Sequence, residues 1–157
     1  MITKAALVKE LKSSQTFFKR STEVLTEEHA NFAPAPGAMT VAQQIAHTAA
    51  TIEWFVQGAY SPEGFDLNFE EHSKLYKSVT KLSAAREWLN KAFSMAIAQA
   101  EKSSEAELQA KIVPGPIMGG EPRVSAYLGL IEHTAHHRGG LTVYARLLGL
   151  TPRMPYM

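Results

Sequence analysis

The sequence predicts an all-α protein built as a four-helix bundle. Three observations lead there. Apolar residues recur at helical spacing along the chain, and no segment alternates with the period of a strand. Four long helical stretches, each of about 18–27 residues, are parted by Pro/Gly-rich breakers. The 157 residues fit one domain of about 100–200 residues, so residues 1–157 are read as a single domain.

The first helix is expected from about Thr3 to about Leu25, because Leu7, Leu11, Ser14 and Phe18 share a face and Leu25 follows one heptad on. NFAPAPGAM, with Pro34, Pro36 and Gly37, is a connector. Thr40-Val-Ala-Gln43 is a capping box that opens the second helix, which should stop at Gly58. SPEGFDLN reads as a loop, and NFEEHSKLY adds a turn or two. The third helix runs from about Thr80 to about Lys102, with Leu82, Leu89, Phe93, Ala96 and Ala100 repeating at three, four and seven. Ser104-Glu-Ala-Glu107 caps one further short turn. PGPIMGGEP then breaks the chain. The fourth helix begins near Pro122, a natural first helical residue, and ends near Leu148, with Gly149 as its cap.

Composition narrows the function classes. Hydrophobic residues make up 45% and charged residues 20%, which is ordinary for a globular chain. Sixteen basic and fifteen acidic residues leave a net charge of +1, so no nucleic-acid partner and no membrane partner are expected. There is no cysteine, which removes disulfides, thiolate metal ligands and thiol nucleophiles from the chain itself. The first residues carry lysines where a signal peptide needs an apolar stretch. A cytoplasmic location is expected.

Histidine placement carries the chemistry. His133 and His137, in EHTAHHRGG, are one helical turn apart, so their Cβ atoms stand about 6 Å apart on one face and both rings can reach one ion. Thr134 stands where a zinc-protease motif needs its glutamate, so that chemistry is excluded. His136 points about 100° away and is assigned to the surface or to a supporting hydrogen bond. His47 lies on a mixed face with Thr40, Gln43, Gln44, Thr51, Trp54 and Phe55. From there it can face the bundle interior and complete a three-histidine set. Gly129 and Gly140 lie near the His133/His137 face, where they either leave room beside the pair or admit close helix packing. His29 and His72 stand among acidic residues and are read as solvated. Gln44, Thr51, Trp54 and Tyr144 are candidate pocket residues, with plain core packing as the alternative. No general base is apparent: Glu53 and Glu132 point about 120° and 100° from the histidine face.

TVAQQIAHTAATIEWF, followed much later by EHTAHHRGGLTVYARLLGLTP, resembles the DinB/YfiT superfamily. The matched pattern is one histidine in the second helix and a last helix reading roughly H-x-x-x-H-R-G-Q. One departure is Gly140, where the pattern usually has Gln. The resemblance implies a four-helix bundle with non-sequential helix order, and one divalent transition metal held by His47, His133 and His137. It also implies frequent homodimers. Characterised relatives include transferases that use low-molecular-weight thiols, and hydrolases.

Such a site leaves the ion its full charge and an open position, where a water or an incoming thiol loses its proton near neutral pH. The expected function is therefore metal-dependent chemistry on a small-molecule electrophile, by a thiol-dependent S-transferase or a hydrolase. Zinc, nickel, iron and manganese all suit imidazole. The alternatives are a non-catalytic metal-binding or stress-response bundle, and histidines that are merely hydrogen-bonded core residues. Val124, Leu128, Ile131 and Ala135, and Ile45, Ala49, Ile52 and Val56, are apolar opposite the histidines, which is expected either of helices covered by bundle neighbours on both faces or of a homodimer seam.

Overall fold

Four long helices and two short ones make up the chain in a computed structural model that describes residues 2–157. The long helices are α1 (Lys4–Thr22), α2 (Val41–Tyr60), α4 (Leu82–Lys102) and α6 (Arg123–Leu147); the short ones are α3 (Phe69–Lys77) and α5 (Glu105–Gln109). A 3₁₀ turn, Glu27–His29, follows α1. Among the described residues the only β feature is an isolated bridge between Lys111 and Pro122. No helix among them is long and apolar enough to cross a membrane.

The bundle order is not the chain order. α2 packs against α4 and α6, and α1 packs against the same two. Around the bundle the sequence is therefore α1, α4, α2, α6, with α1 and α2 at opposite corners. The core between them holds Leu7, Leu11, Phe18, Ile45, Phe93 and Leu141, all essentially buried. This arrangement sets α2 beside α6, the two helices that carry the candidate histidines.

Helix ends follow local chemistry, with four departures from the expected boundaries. α1 ends at Thr22, although Leu25 keeps its place in the core. The chain leaves the helix while the Arg86 guanidinium donates to the Thr22 and Leu25 carbonyls at 2.8 and 2.9 Å, satisfying acceptors that a helix end leaves open. α2 opens on the Thr40/Gln43 capping box but passes through Gly58 to Tyr60. A Cβ at Gly58 would lie 2.4 Å from the Phe65 ring, so this glycine serves close packing and not helix termination. The start of α4 at Leu82 is capped from a distance: the Glu27 carboxylate accepts from the Leu82 and Ser83 amides at 2.8 and 2.9 Å. Those amides hold the Glu27 carboxyl below its usual pKa.

The short turn after α4 forms as expected, with Ser104 and Glu107 in a capping box. Pro122 is the residue before α6 and not its first turn. Gly149 takes the left-handed conformation, φ +76°, just past the end of α6.

The α2 half of the expected dimer seam needs correction, while Leu128 and Ala135 of α6 are exposed. Ile45, Ala49, Ile52 and Val56 are buried inside this one chain, on the helix that packs against α4 as well as α6. Leu128 stays about half exposed. A helix apolar on two faces is here covered by two neighbours of its own bundle.

Candidate metal centre and its cavity

α2 and α6 bring His47, His133 and His137 together. One ring nitrogen from each lies within 4.8 Å of the other two. The His133 and His137 Nε2 atoms are 3.1 Å apart, a consequence of their one-turn spacing. The His47 ring centroid is 5.1 Å from that of His133 and 4.8 Å from that of His137. His137 is buried, and the other two are half-buried.

A chain of hydrogen bonds orients His137. Its Nδ1 donates to the Gln44 side-chain oxygen. The Gln44 amide donates to the Tyr144 hydroxyl at 3.1 Å, which donates to the Met39 carbonyl at 3.1 Å. The direction of donation fixes a proton on Nδ1 and turns a bare Nε2 toward the other two rings. Gln44 and Tyr144 thus stand behind His137, away from the cavity. A Cβ at Gly140 would meet the Gln44 amide nitrogen at 3.9 Å, so the amide in this region comes from α2 and not from position 140. Gly129 is a packing glycine: a Cβ there would lie 2.9 Å from the Phe55 ring.

The rings are suited to a cation. Burial, and after it the neighbouring histidines, push His133 down to about 4 and His137 to about 3. Burial, then His136, lowers His47 as well. All three are therefore neutral at pH 7 and keep their lone pairs. The Nδ1 atoms of His47 and His133 are buried without a hydrogen-bond partner, a costly condition for a polar atom, which an ion on the His133 Nε2 would not relieve at the His133 Nδ1. Two nitrogens each about 2.1 Å from a shared ion stand about 3.4 Å apart, close to the 3.1 Å separation of the Nε2 pair. The residues present fit a divalent metal.

A cavity of about 290 Å³ opens beside the histidines. His47 and His133 form one end. Thr51, Trp54 and Phe55 of α2 and Phe69, His72 and Tyr76 of α3 complete most of its wall. The contribution of α3 is not legible in the sequence: Phe69, His72 and Tyr76 recur at helical spacing, but nothing local tells which part of the bundle that face meets. His72 is corrected from solvated to half-buried: its Nε2 lies 3.1 Å from an Asp66 carboxylate oxygen. His29 is also tied down, its Nδ1 accepting from the Thr26 amide at 3.0 Å. His136 is exposed. Neither Glu53 nor Glu132 lines the cavity.

The DinB family pattern matches residues 1–157. No curated protein matches the sequence. Among solved structures, a DinB-like protein from Bacillus cereus ATCC 10987 is similar, with a TM-score of 0.72, 21% identity and 94% of each chain covered. The colibactin self-resistance protein ClbS, in complex with a dsDNA, has a TM-score of 0.70 and 18% identity, covering 91% of this chain and 95% of its own. A conserved protein from Enterococcus faecalis has a TM-score of 0.65 and 17% identity, covering 93% of this chain and 96% of its own. These likenesses establish the fold. The ClbS complex corrects the expectation of no nucleic-acid partner: an even charge balance does not exclude DNA for this fold, because binding follows the local arrangement of basic groups and not their sum.

Proposed function

Because the chain belongs to the DinB family, we propose that it is a metal-dependent enzyme acting on a small electrophilic substrate. His47, His133 and His137 would hold one divalent transition ion. The reaction is transfer of a low-molecular-weight thiol to the electrophile, or its hydrolysis. The observation that carries this reading is the convergence of three neutral imidazoles at one end of an apolar cavity.

When bound, the ion supplies Lewis acidity that brings the pKa of a water or thiol near or below neutrality. The protein's own residues do the rest. Gln44 holds His137 in one tautomer and orientation, and Tyr144 holds Gln44. The aromatic wall gives the reacting end an apolar flank against which a substrate body can pack. A chain without cysteine uses thiolate chemistry only through a thiol that enters with the substrate.

Cobalt-loaded protein tests the reading. Addition of a small thiol or azide should change the visible spectrum by entering an open coordination position, and should do so only in protein with all three histidines. Loaded wild type should also speed the loss of monochlorobimane with a thiol, or the hydrolysis of p-nitrophenyl acetate, and His137→Ala should not. A cobalt spectrum indifferent to both ligands supports the non-catalytic alternative, a closed metal-binding bundle.

A further inference from the structure

The cavity wall beyond the histidines, which Tyr76 reaches by packing edge-on against His47 at 4.6 Å between ring centroids, has a composition of its own. Trp54 and Phe55 of α2 face Phe69 and Tyr76 of α3, and no Lys, Arg, Asp or Glu lines the space among the described residues. Two of the polar groups on this wall are engaged elsewhere. The Trp54 indole N–H donates to the Asp66 carbonyl at 2.7 Å, and His72 is paired with the Asp66 carboxylate at 3.1 Å. Away from the histidine end, a charged group would lose its water without meeting an oppositely charged side chain, which is strongly unfavourable. Aromatic walls instead reward a flat apolar body, through area and ring–ring contact. The volume, about 290 Å³, lies near the lower end for small-molecule sites and suits a single compact ligand.

We infer that the cavity takes an uncharged aromatic body as the recognition part of its ligand, held against the surface formed by Trp54 on α2 and Phe69 and Tyr76 on α3. The inference rests on the proposed function only in calling this ligand the substrate. The recognition itself needs no metal. α3 is the specificity element: it buries none of its own residues and is anchored at its end by the Gln43 amide, which donates to the Lys77 carbonyl at 2.9 Å. Residues on such a helix can change with little effect on the bundle core.

Trp54 is a built-in reporter. The other tryptophan, Trp88, lies on α4 and does not line the cavity. The experiment titrates 2-methoxynaphthalene and its charged counterpart 2-naphthoate into zinc-loaded and chelator-treated protein, following tryptophan fluorescence. In chelator-treated protein the neutral probe should quench saturably, with affinity at least about tenfold above naphthoate. Phe69→Ser should weaken it by about tenfold without altering metal content, and it is a safe substitution because Phe69 is 57% exposed. Ala50→Phe, which fills the cavity, should abolish the quench, and Trp54→Phe should remove the signal. Equal or tighter binding of naphthoate without metal overturns the inference, as does binding unchanged by both Phe69→Ser and Ala50→Phe. Metal content is measured separately, so protein that binds the neutral probe but no zinc refutes the proposed metal site and leaves the pocket assignment standing.

Discussion

His137 does two things through its two nitrogens. One is held by Gln44, and the other faces His47 and His133. Gln44→Leu should therefore weaken zinc affinity by about 10–100-fold while leaving the fold intact, read by competition with a chromogenic chelator. Unchanged affinity would remove Gln44 from the site. The depressed pKa values make a second prediction. His133 and His137 protonate at about 4 and about 3 in the folded protein, against 6.5 for a free side chain. As pH falls below 6.5 the unfolded chain takes up protons first. The metal-free protein's contribution from these rings is thus complete above pH 6.5 and is lost progressively toward pH 3–4. Its Tm should fall between pH 7.5 and 4.5, and less so in a His133→Asn, His137→Gln double variant. The pairing of His133 with His137 is visible in the sequence, because one helical turn is a local relation. The station of Gln44 is not: a wheel places it near His47 but cannot say that it reaches across to α6.

Elements whose signals are local were legible. The Thr40/Gln43 box, the Ser104/Glu107 box and the Gly149 cap all lie within one turn of the ends they mark. Elements that depend on distant partners were not. Gly58 reads as a stop in isolation, yet its role is set by Phe65 in the following loop. Gly58→Ala should cost about 1–3 kcal/mol through overpacking, measurable by urea denaturation. A neutral substitution would mean that Phe65 can turn aside. The end of α1 and the start of α4 likewise depend on Arg86 and Glu27, each remote in sequence from the helix terminus it satisfies. α3 is short and polar, and its importance lies in the three residues it lends to the cavity.

At the scale of the molecule, the corner-to-corner placement of α1 and α2 is what sets α2 beside α6 and brings His47 to the other two histidines. An ion there would tie two long helices together and bind only the folded chain. Zinc at about one hundred times its Kd should then stabilise the protein by about 2.7 kcal/mol. Chelator should lower the Tm of wild type and leave that of His137→Ala unmoved. The most direct measurement is anomalous scattering from crystals of zinc-loaded protein, collected on both sides of the zinc edge. A three-histidine site requires one strong peak per chain within about 2.0–2.1 Å of a ring nitrogen from each of His47, His133 and His137. A peak held by other side chains, or no peak at saturating zinc, contradicts it.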